Sequence, residues 1–258
     1  MFMEERQQEI AEHIKTYGKI LISEIVEKYG VSEESARRDL RILERNGMCK
    51  RTRGGAIELR QVNVRPPKKR EYETMQIYDN YREISRKASE MIKESDSIYL
   101  TGGSFGHIML EFLPKDIPYT LVVNSVDIAN SLRNFDNIDV YVAGGKMRQS
   151  GSIVDSLAVE FVRNLHFDRC FLTGSGLTAD FGLSNGTDET AAFQRTIMKN
   201  SRESILLMPG NKIGTDSFIK VCEAAAFDKI ITDWDCLDEY VNQLQEQDIE
   251  VIVVENRK

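Results

Sequence analysis

The sequence predicts an α/β protein in two parts, an N-terminal winged helix-turn-helix followed by a larger α/β domain with a mostly parallel sheet. Three observations predict it. Within the first sixty residues, three segments with helical apolar spacing are each followed by a glycine and lead into a glycine-turned hairpin. Beyond residue 81, seven apolar strand-like runs alternate with helical stretches to the end of the chain, as a parallel sheet requires. Between them lies Arg60–Arg70, poor in core residues, where Pro66-Pro67 disfavours helix. The expected domains are 1–59 and 81–258, with a linker over 60–80.

Ile10, Ile14 and Tyr17 share one face of a first helix, which Gly18 stops. Ile20–Ile22 form a short extended piece. Ser23 is the expected N-cap of a second helix with Ile25, Val26 and Tyr29 inward, ended by Gly30. Ser32 caps a third helix, about Glu33–Asn46. At about 100° per residue it separates Ala36, Leu40 and Leu43 from Glu34, Arg37, Arg38, Arg41 and Arg45, and Gly47 ends it. The tight Tyr29-Gly30-Val31-Ser32 connection fits a helix-turn-helix whose second helix enters the major groove, with Glu34, Ser35, Arg37 and Arg38 toward base edges and phosphates. An Arg taking guanine bidentately discriminates by about 1–3 kcal/mol. Met48–Thr52 and Ala56–Leu59 read as strands about Arg53-Gly54-Gly55, where glycine permits a positive φ. Lys50, Arg51 and Arg53 on this wing suit flanking phosphates or the minor groove.

The charge distribution supports double-stranded operator DNA as a partner. The formal net charge is −7, yet Arg37–Arg70 holds 12 Lys or Arg against three acids. A basic stripe is joined to an acidic body. The bland alternative is a merely solvated arginine face; it weakens because capped helices, hairpin and charge change occur together in order. For Lys68-Lys69-Arg70 a solvated linker stands at least level with an added DNA contact.

Apolar runs such as Tyr119–Val123 and Val251–Val254 are far shorter than the roughly 20 residues of a membrane helix. Nor does the N-terminus follow a signal-peptide pattern, so a cytoplasmic protein without membrane contact is expected. Cys49, Cys170, Cys222 and Cys236, like His13, His107 and His166, are scattered without ligand spacing, and neither metal nor cofactor is expected.

In the larger domain, Ile84, Ala88, Met91 and Ile92 give a helical face. The strand candidates are Ser97–Leu100, Tyr119–Val123, Asp139–Ala143, Arg169–Thr173, Ser204–Met208, Lys229–Thr232 and Glu250–Val254. Small and polar residues follow the strands: Thr101-Gly102-Gly103-Ser104, Asn124-Ser125, Gly144-Gly145, Gly174-Ser175-Gly176 and Gly210-Asn211-Lys212. Ligands bind at the carboxyl ends of such strands. Glycine lets backbone amides approach a ligand, an amide cluster at Ser104–Gly106 attracts an anion, and Lys212 adds a point charge. Singly these are ordinary turns. Together they indicate a small-molecule pocket.

Val31-Ser32-x-x-Ser35-x-Arg37-Arg38-Asp39-Leu40, followed by Arg53-Gly54-Gly55-Ala56, closely resembles the DNA-binding domain of the DeoR family of bacterial regulators, with a helix-turn-helix core at about Ile20–Asp39. Val123-Asn124-Ser125-x-x-Ile128-Ala129, Ala143-Gly144-Gly145, Glu189-x-Ala191 and Lys212-x-Gly214 resemble the family's sensor domain, so the resemblance spans nearly the whole chain. It implies a fold similar to ribose-phosphate isomerases, and a homo-oligomer, dimer or tetramer. It further implies a regulator, mostly of the repressor type, that senses a small anionic metabolite such as a sugar phosphate.

Residues and resemblance together give two expected sites. The DNA site comprises Ser23, Ser32, Glu34, Ser35, Arg37, Arg38, Arg41, Lys50, Arg51, Arg53, Gly54 and Gly55. The effector site comprises Gly102, Gly103, Ser104, Phe105, Gly106, Asn124, Ser125, Gly145, Gly174, Ser175, Gly176, Glu189 and Lys212. The sequence departs from the family where Thr101 replaces an acid, Ser104-Phe105-Gly106 a threonine-rich turn, and Pro209-Gly210-Asn211-Lys212 an acid-x-Ser-Lys stretch. The pocket thereby loses carboxylates for sugar hydroxyls, and Phe105 is expected to add apolar surface. Two rival readings stay open: a sugar-phosphate isomerase or hydrolase carrying a DNA-binding domain, with Glu189 as base, and an oligomerisation domain without an effector.

Overall fold

The computed structural model describes residues 3–57 and 79–256, with Glu4, Lys15 and Thr16 described by their backbone alone. The expected strand end at Leu59, the basic cluster Lys68-Lys69-Arg70 and most of the expected linker lie outside the described residues. The chain forms two compact units, one N-terminal and one larger and C-terminal.

In the N-terminal unit the order is α1 (Met3–Tyr17), β1 (Lys19–Leu21), α2 (Ile22–Tyr29), α3 (Glu33–Arg45), β2 (Lys50–Thr52) and β3 (Gly55–Ile57). Ile10, Ile14, Ile25, Ala36, Leu40 and Leu43 make its core, as their helical spacing requires. Tyr17 does not join them. It is 70% exposed, because α1 ends there and the ring leans back on His13, one turn earlier, at 4.5 Å between centroids.

The start of α2 also differs from expectation. Leu21, not Ser23, is the N-cap, and Glu24 Oε2 accepts a hydrogen bond from Leu21 N at 2.8 Å. That carboxylate satisfies an orphan amide two residues before Ser23, which falls in the first turn. Gly30 ends α2 in the left-handed region at φ 63°, its N–H donating to Val26 O, and Ser32 Oγ accepts from Ser35 N at 3.2 Å to start α3. The turn of the helix-turn-helix is thus built from a glycine stop and a serine start.

β2 and β3 form the expected hairpin, and β1 pairs with β3 to complete a three-stranded antiparallel sheet. Neither Gly54 nor Gly55 has a positive φ. Gly55 is required instead by proximity: a Cβ there would lie 2.0 Å from Ile20 O of the neighbouring strand. Asp39 was not distinguished from its exposed neighbours by the helical pattern. It is 1% exposed and accepts from Arg6 Nε at 2.7 Å and Gln7 Nε2 at 2.8 Å, tying α1 to α3 through a buried, doubly bonded carboxylate.

The C-terminal unit begins with α4 (Asp79–Ser89), β4 (Ser97–Leu100), α5 (Ser104–Met109), β5 (Tyr119–Val123), α6 (Val126–Leu132), β6 (Ile138–Val142) and α7 (Ser156–Arg163). It continues with β7 (Phe167–Leu172), β8 (Gly176–Thr178), β9 (Gly182–Asn185), α8 (Asp188–Lys199), β10 (Ser201–Leu207), β11 (Ile219–Cys222), β12 (Lys229–Asp233) and, after a further helix, β13 (Glu250–Val254). Seven strands form one sheet in the order β6-β5-β4-β7-β10-β12-β13. All its pairings are parallel.

The chain winds outward from β4 to β6, then returns to the other side of β4 with β7. Strand order therefore reverses between β4 and β7. Ile98, Leu100, Leu121, Val123, Ile205 and Ile231 pack with Tyr81, Ile84 and Ala88 of α4 and with α5 and α6 on one face. On the other face Tyr99 meets Phe193 of α8 edge-on at 5.8 Å. Each such fully buried apolar side chain contributes about 1.5–3 kcal/mol.

A small antiparallel sheet, β11-β9-β8, was not foreseen, because its strands are short and carry polar residues, Ser184 and Asn185, at buried positions. β7 and β10 also start earlier than expected, at Phe167 and Ser201, and β6 ends one residue sooner, at Val142. The amino ends of these strands carry charge that is paired across the sheet. Asp96 pairs with Arg169, Arg169 Nε with Glu203 at 2.8 Å, Glu203 with Lys229 at 3.2 Å, and Lys229 with Glu250 at 2.7 Å. Beside this ladder, the Ser97 amide and hydroxyl hold the Asp168 carboxyl below the usual carboxylate value.

Two measurements follow. Asp39→Ala leaves Arg6 and Gln7 without their acceptor, so the N-terminal unit should lose about 3 kcal/mol in denaturant unfolding followed by circular dichroism; an unchanged midpoint would contradict the tie. Burial also pushes the thiols of Cys49 and Cys222 up to about 12, which leaves a thiolate fraction of about 10⁻⁴ at pH 8. In native protein both should be alkylated by iodoacetamide about a thousandfold more slowly than after unfolding, with the rate rising tenfold per pH unit, as read by peptide mass spectrometry.

Candidate functional site

The N-terminal unit presents its charge as the helical pattern predicted. Glu34, Arg37, Arg38, Arg41 and Arg45 are exposed on α3, opposite buried Ala36, Leu40 and Leu43, and Ser35 is half-buried. Arg37 Nη2 lies 3.6 Å from Glu33, an exposed pair of little strength. Arg53 is exposed between β2 and β3, with half-buried Gly54 beside it. Ser32 is spent on capping α3, Ser23 is exposed in the first turn of α2, and Gly55 is buried in the strand pairing.

Two of the expected phosphate contacts change role. Lys50 is 5% exposed, since it lies at the base of the hairpin rather than at its tip, and so is withdrawn from any phosphate. Arg51 gives both its N–H and its Nε to Glu44, at 2.8 and 2.7 Å. That clamp fastens the wing to α3, and it fixes where Arg53 stands relative to the helix.

In the C-terminal unit the reversal between β4 and β7 separates the connections that leave their carboxyl ends, which is where ligands enter open α/β sheets. Gly102 and Gly103 follow β4. A Cβ on Gly102 would lie 2.8 Å from Asn124 Oδ1, and one on Gly103 would lie 3.2 Å from Thr173 Cγ2, so the β4 turn touches the ends of both β5 and β7. Gly103 is the N-cap of α5, so no side chain caps the amides that begin at Ser104. Gly106 allows α5 to lie directly on the end of β4, because a Cβ there would be 1.9 Å from Thr101 O.

Several expected effector contacts are instead framework. Phe105 is 1% exposed and stacks on Tyr81 at 4.7 Å, so it feeds the core under α4 and adds no apolar surface to the site. Asn124 is 4% exposed: its Oδ1 accepts from Tyr99 Oη at 3.0 Å and its Nδ2 donates to Ile153 O at 3.0 Å. Ser125 is fully buried and bridges to Ser152. Gly145, at φ 145°, packs against Asp155, whose carboxylate caps α7. Gly174 packs against Leu183 and Gly176 against Thr215 O, both buried, while Ser175 is exposed and donates to Asn185 Oδ1 at 3.2 Å.

Lys212 Nζ reaches Gly174 O at 3.5 Å, which places the cation beside the β7 turn. The Gly210–Lys212 turn is held by buried Asp233 at the end of β12, whose Oδ2 accepts from Gly210 N at 2.9 Å and Asn80 Nδ2 at 3.1 Å. Glu189 stands second in α8, is 59% exposed, and is paired with Arg148. Gln194, further along α8, donates to Thr173 O at 2.7 Å and accepts from Asn185 Nδ2 at 2.6 Å.

Arg148, Gln194, Asn185 and Asp233 were missed from sequence. Glycine-rich strand ends announce themselves, whereas a single Arg in a loop or Gln in a helix acquires its role only through the fold. The arrangement offers backbone amides and two cations at the carboxyl ends of a parallel sheet, a chemistry suited to a small anion. Among the described residues, no group of three or more His, Cys, Asp or Glu stands together as a metal site does.

Gly106→Ala should destabilise the C-terminal unit by about 1–3 kcal/mol through overpacking, seen as a lowered thermal midpoint. Gly144→Ala is its control, because a Cβ at Gly144 meets nothing within 4 Å and should leave the midpoint unchanged.

Comparison with known proteins adds to this geometry. A family model for the DeoR-like helix-turn-helix domain matches residues 6–62, and one for the DeoR C terminal sensor domain matches residues 77–234. A HTH-type transcriptional regulator of Bacillus subtilis (strain 168), YulB, is 28% identical over 98% of this chain and 98% of its own. The HTH-type transcriptional repressor GlcR of the same organism is 26% identical over 99% of this chain and 98% of its own. The lactose phosphotransferase system repressor of Streptococcus mutans serotype c is 28% identical over 93% and 94%. Ribose 5-phosphate isomerase A from Methanocaldococcus jannaschii aligns over 52% of this chain and 53% of its own at 12% identity and a TM-score of 0.39, too weak a likeness to argue from. With an arginine-faced α3 matched by one model and a glycine-lined parallel sheet by the other, the chain belongs to the DeoR family of transcriptional regulators.

Proposed function

We propose that the protein is a transcriptional repressor of carbohydrate or related metabolic genes, controlled by a small phosphorylated metabolite. The observation that carries the DNA half is the exposed arginine face of α3, with Arg37, Arg38 and Arg41 opposite a buried apolar face. In this reading α3 enters the major groove and Arg53 on the wing meets a flanking phosphate. The sensing half rests on the glycine turns and on Lys212 at the carboxyl ends of β4, β7 and β10. Relatives described as repressors, one of a lactose phosphotransferase system, support the sugar connection.

We assign DNA binding to 1–59, a linker to 60–80 and effector binding and oligomerisation to 81–258, a division supported by the family matches at 6–62 and 77–234. A homo-oligomer follows from the small surface of one such module, since two linked modules raise affinity on paired half-sites. With operator DNA as its partner, we assign it to the cytoplasm. The enzyme reading is weaker: Glu189, the carboxylate considered as a base, is occupied by Arg148.

The test is fluorescence polarisation of the full chain against duplex DNA from its own upstream region, with a panel of phosphorylated sugars. Tight, salt-weakened binding released by one compound is expected. Arg38→Ala should reduce operator affinity at least tenfold, the scale of one lost bidentate base contact, with fold and oligomer size unchanged. Wild-type affinity in that variant would remove α3 from the groove.

A further inference from the structure

A series of contacts closes on itself around the carboxyl end of β4. Gly102 lies against Asn124, and Asn124 Nδ2 holds Ile153 O. Ile153 bridges back to Met147 in a hairpin in which Arg148 N donates to Ser152 O at 2.9 Å. From that hairpin the Arg148 guanidinium crosses to the start of α8, donating to Thr190 Oγ1 at 3.0 Å and Thr187 Oγ1 at 3.4 Å and pairing with Glu189. One turn further, Gln194 holds Thr173 O, and Thr173 lies beside Gly103, the neighbour of Gly102, where the circuit began.

We propose that Arg148 is the anion-receiving residue of this site and that Glu189 is its intramolecular stand-in, displaced when a phosphate-like oxyanion arrives. The inference rests on the effector-site reading given above. The two partners are unequally held. Arg148 is 22% exposed and fixed by two threonine hydroxyls, whereas Glu189 is 59% exposed and is bound chiefly through the ion pair. A carboxylate that open to water gains little from its partner, so it is the group that leaves.

The exchange also improves the electrostatics. Arg148 stands at the positive end of the twelve-residue α8, where a cation alone is disfavoured. The first-turn carboxylates Asp188 and Glu189 offset that field in part, Glu189 contributing one negative charge. A dianionic phosphate offsets more of it and accepts two parallel N–H bonds from the planar guanidinium. Effector binding would then remove one of the three ties between the 147–153 hairpin and the start of α8, leaving the two threonine bonds and changing what joins the β6 side of the sheet to the β7 side.

The test uses inorganic phosphate as the probe on the full chain, at constant ionic strength against chloride, reading thermal midpoints and fitting an apparent Kd. General salting-out acts on all variants alike, so the differences between variants are what count. Wild type should show a saturable rise. Glu189→Gln should bind at least threefold more tightly, and Arg148→Ala should lose the saturable rise. Arg148→Lys, which keeps charge but not the fork, should fall between them, and it guards against misfolding in the alanine variant. A wild-type response in Arg148→Ala, or no tightening in Glu189→Gln, overturns the proposal. If Lys212→Ala alone abolishes the response while Arg148→Ala keeps it, the effector site stands and Arg148 is not its receptor. If neither phosphate nor any phosphorylated sugar stabilises the wild type, the site reading fails and this inference falls with it.

Discussion

The reversal of strand order between β4 and β7 is the constraint on which the larger unit depends. Chain connections depart from those two neighbouring strands toward opposite ends of the sheet, so nothing in the backbone plan covers the gap between their carboxyl ends. Residues without side chains, Gly102 and Gly103, are what let the turn after β4 settle there against Asn124 and Thr173. Gln194 then has a carbonyl to hold at Thr173, and α8 is thereby aimed with its first turn beside the gap. The proposed effector site is positioned by topology before any particular side chain is chosen.

The N-terminal unit solves a simpler problem in the same manner, with a few polar contacts orienting elements that apolar packing brings together. Asp39 fixes α1 on α3, and Glu44 fixes the wing on α3. Both acids sit on the helix that carries the exposed arginines. Each locks a neighbour to α3, so the exposed arginine face is carried on a rigid support in which the arginines themselves have little part.

Fold class was legible from periodicity alone, because apolar runs such as Tyr119–Val123 and Glu250–Val254 are the strands observed. Their order in the sheet was not, since runs of Val, Ile and Leu fit beside one another in any sequence. The glycine turns were legible as a group, and their conformations were not: Gly55 is needed for a close approach rather than for φ. Burial caused the remaining errors. Phe105, Asn124 and Ser125 look like lining residues because they follow strands, yet the first turn of a helix after a strand points back into the core as readily as outward. Lys50 erred for a related reason, its register in the hairpin being invisible in composition. Arg148 carries no local pattern at all, and its partners on α8 lie about forty residues away.

The charge ladder at the amino ends of the sheet bears on that unreadable order. From β4 to β13 its members are Asp96, Arg169, Glu203, Lys229 and Glu250, alternating in sign across five adjacent strands. Apolar strands of similar length are nearly interchangeable, but this row is not. Exchanging any two neighbouring strands within it sets two like charges side by side, and four of the five, all but Glu250, are buried or half-buried, where repulsion is less screened than in open water. The row therefore works as a parity check on neighbours: each exchange of two adjacent strands leaves a like-charge error, written in five residues at the end of the sheet opposite the glycine turns.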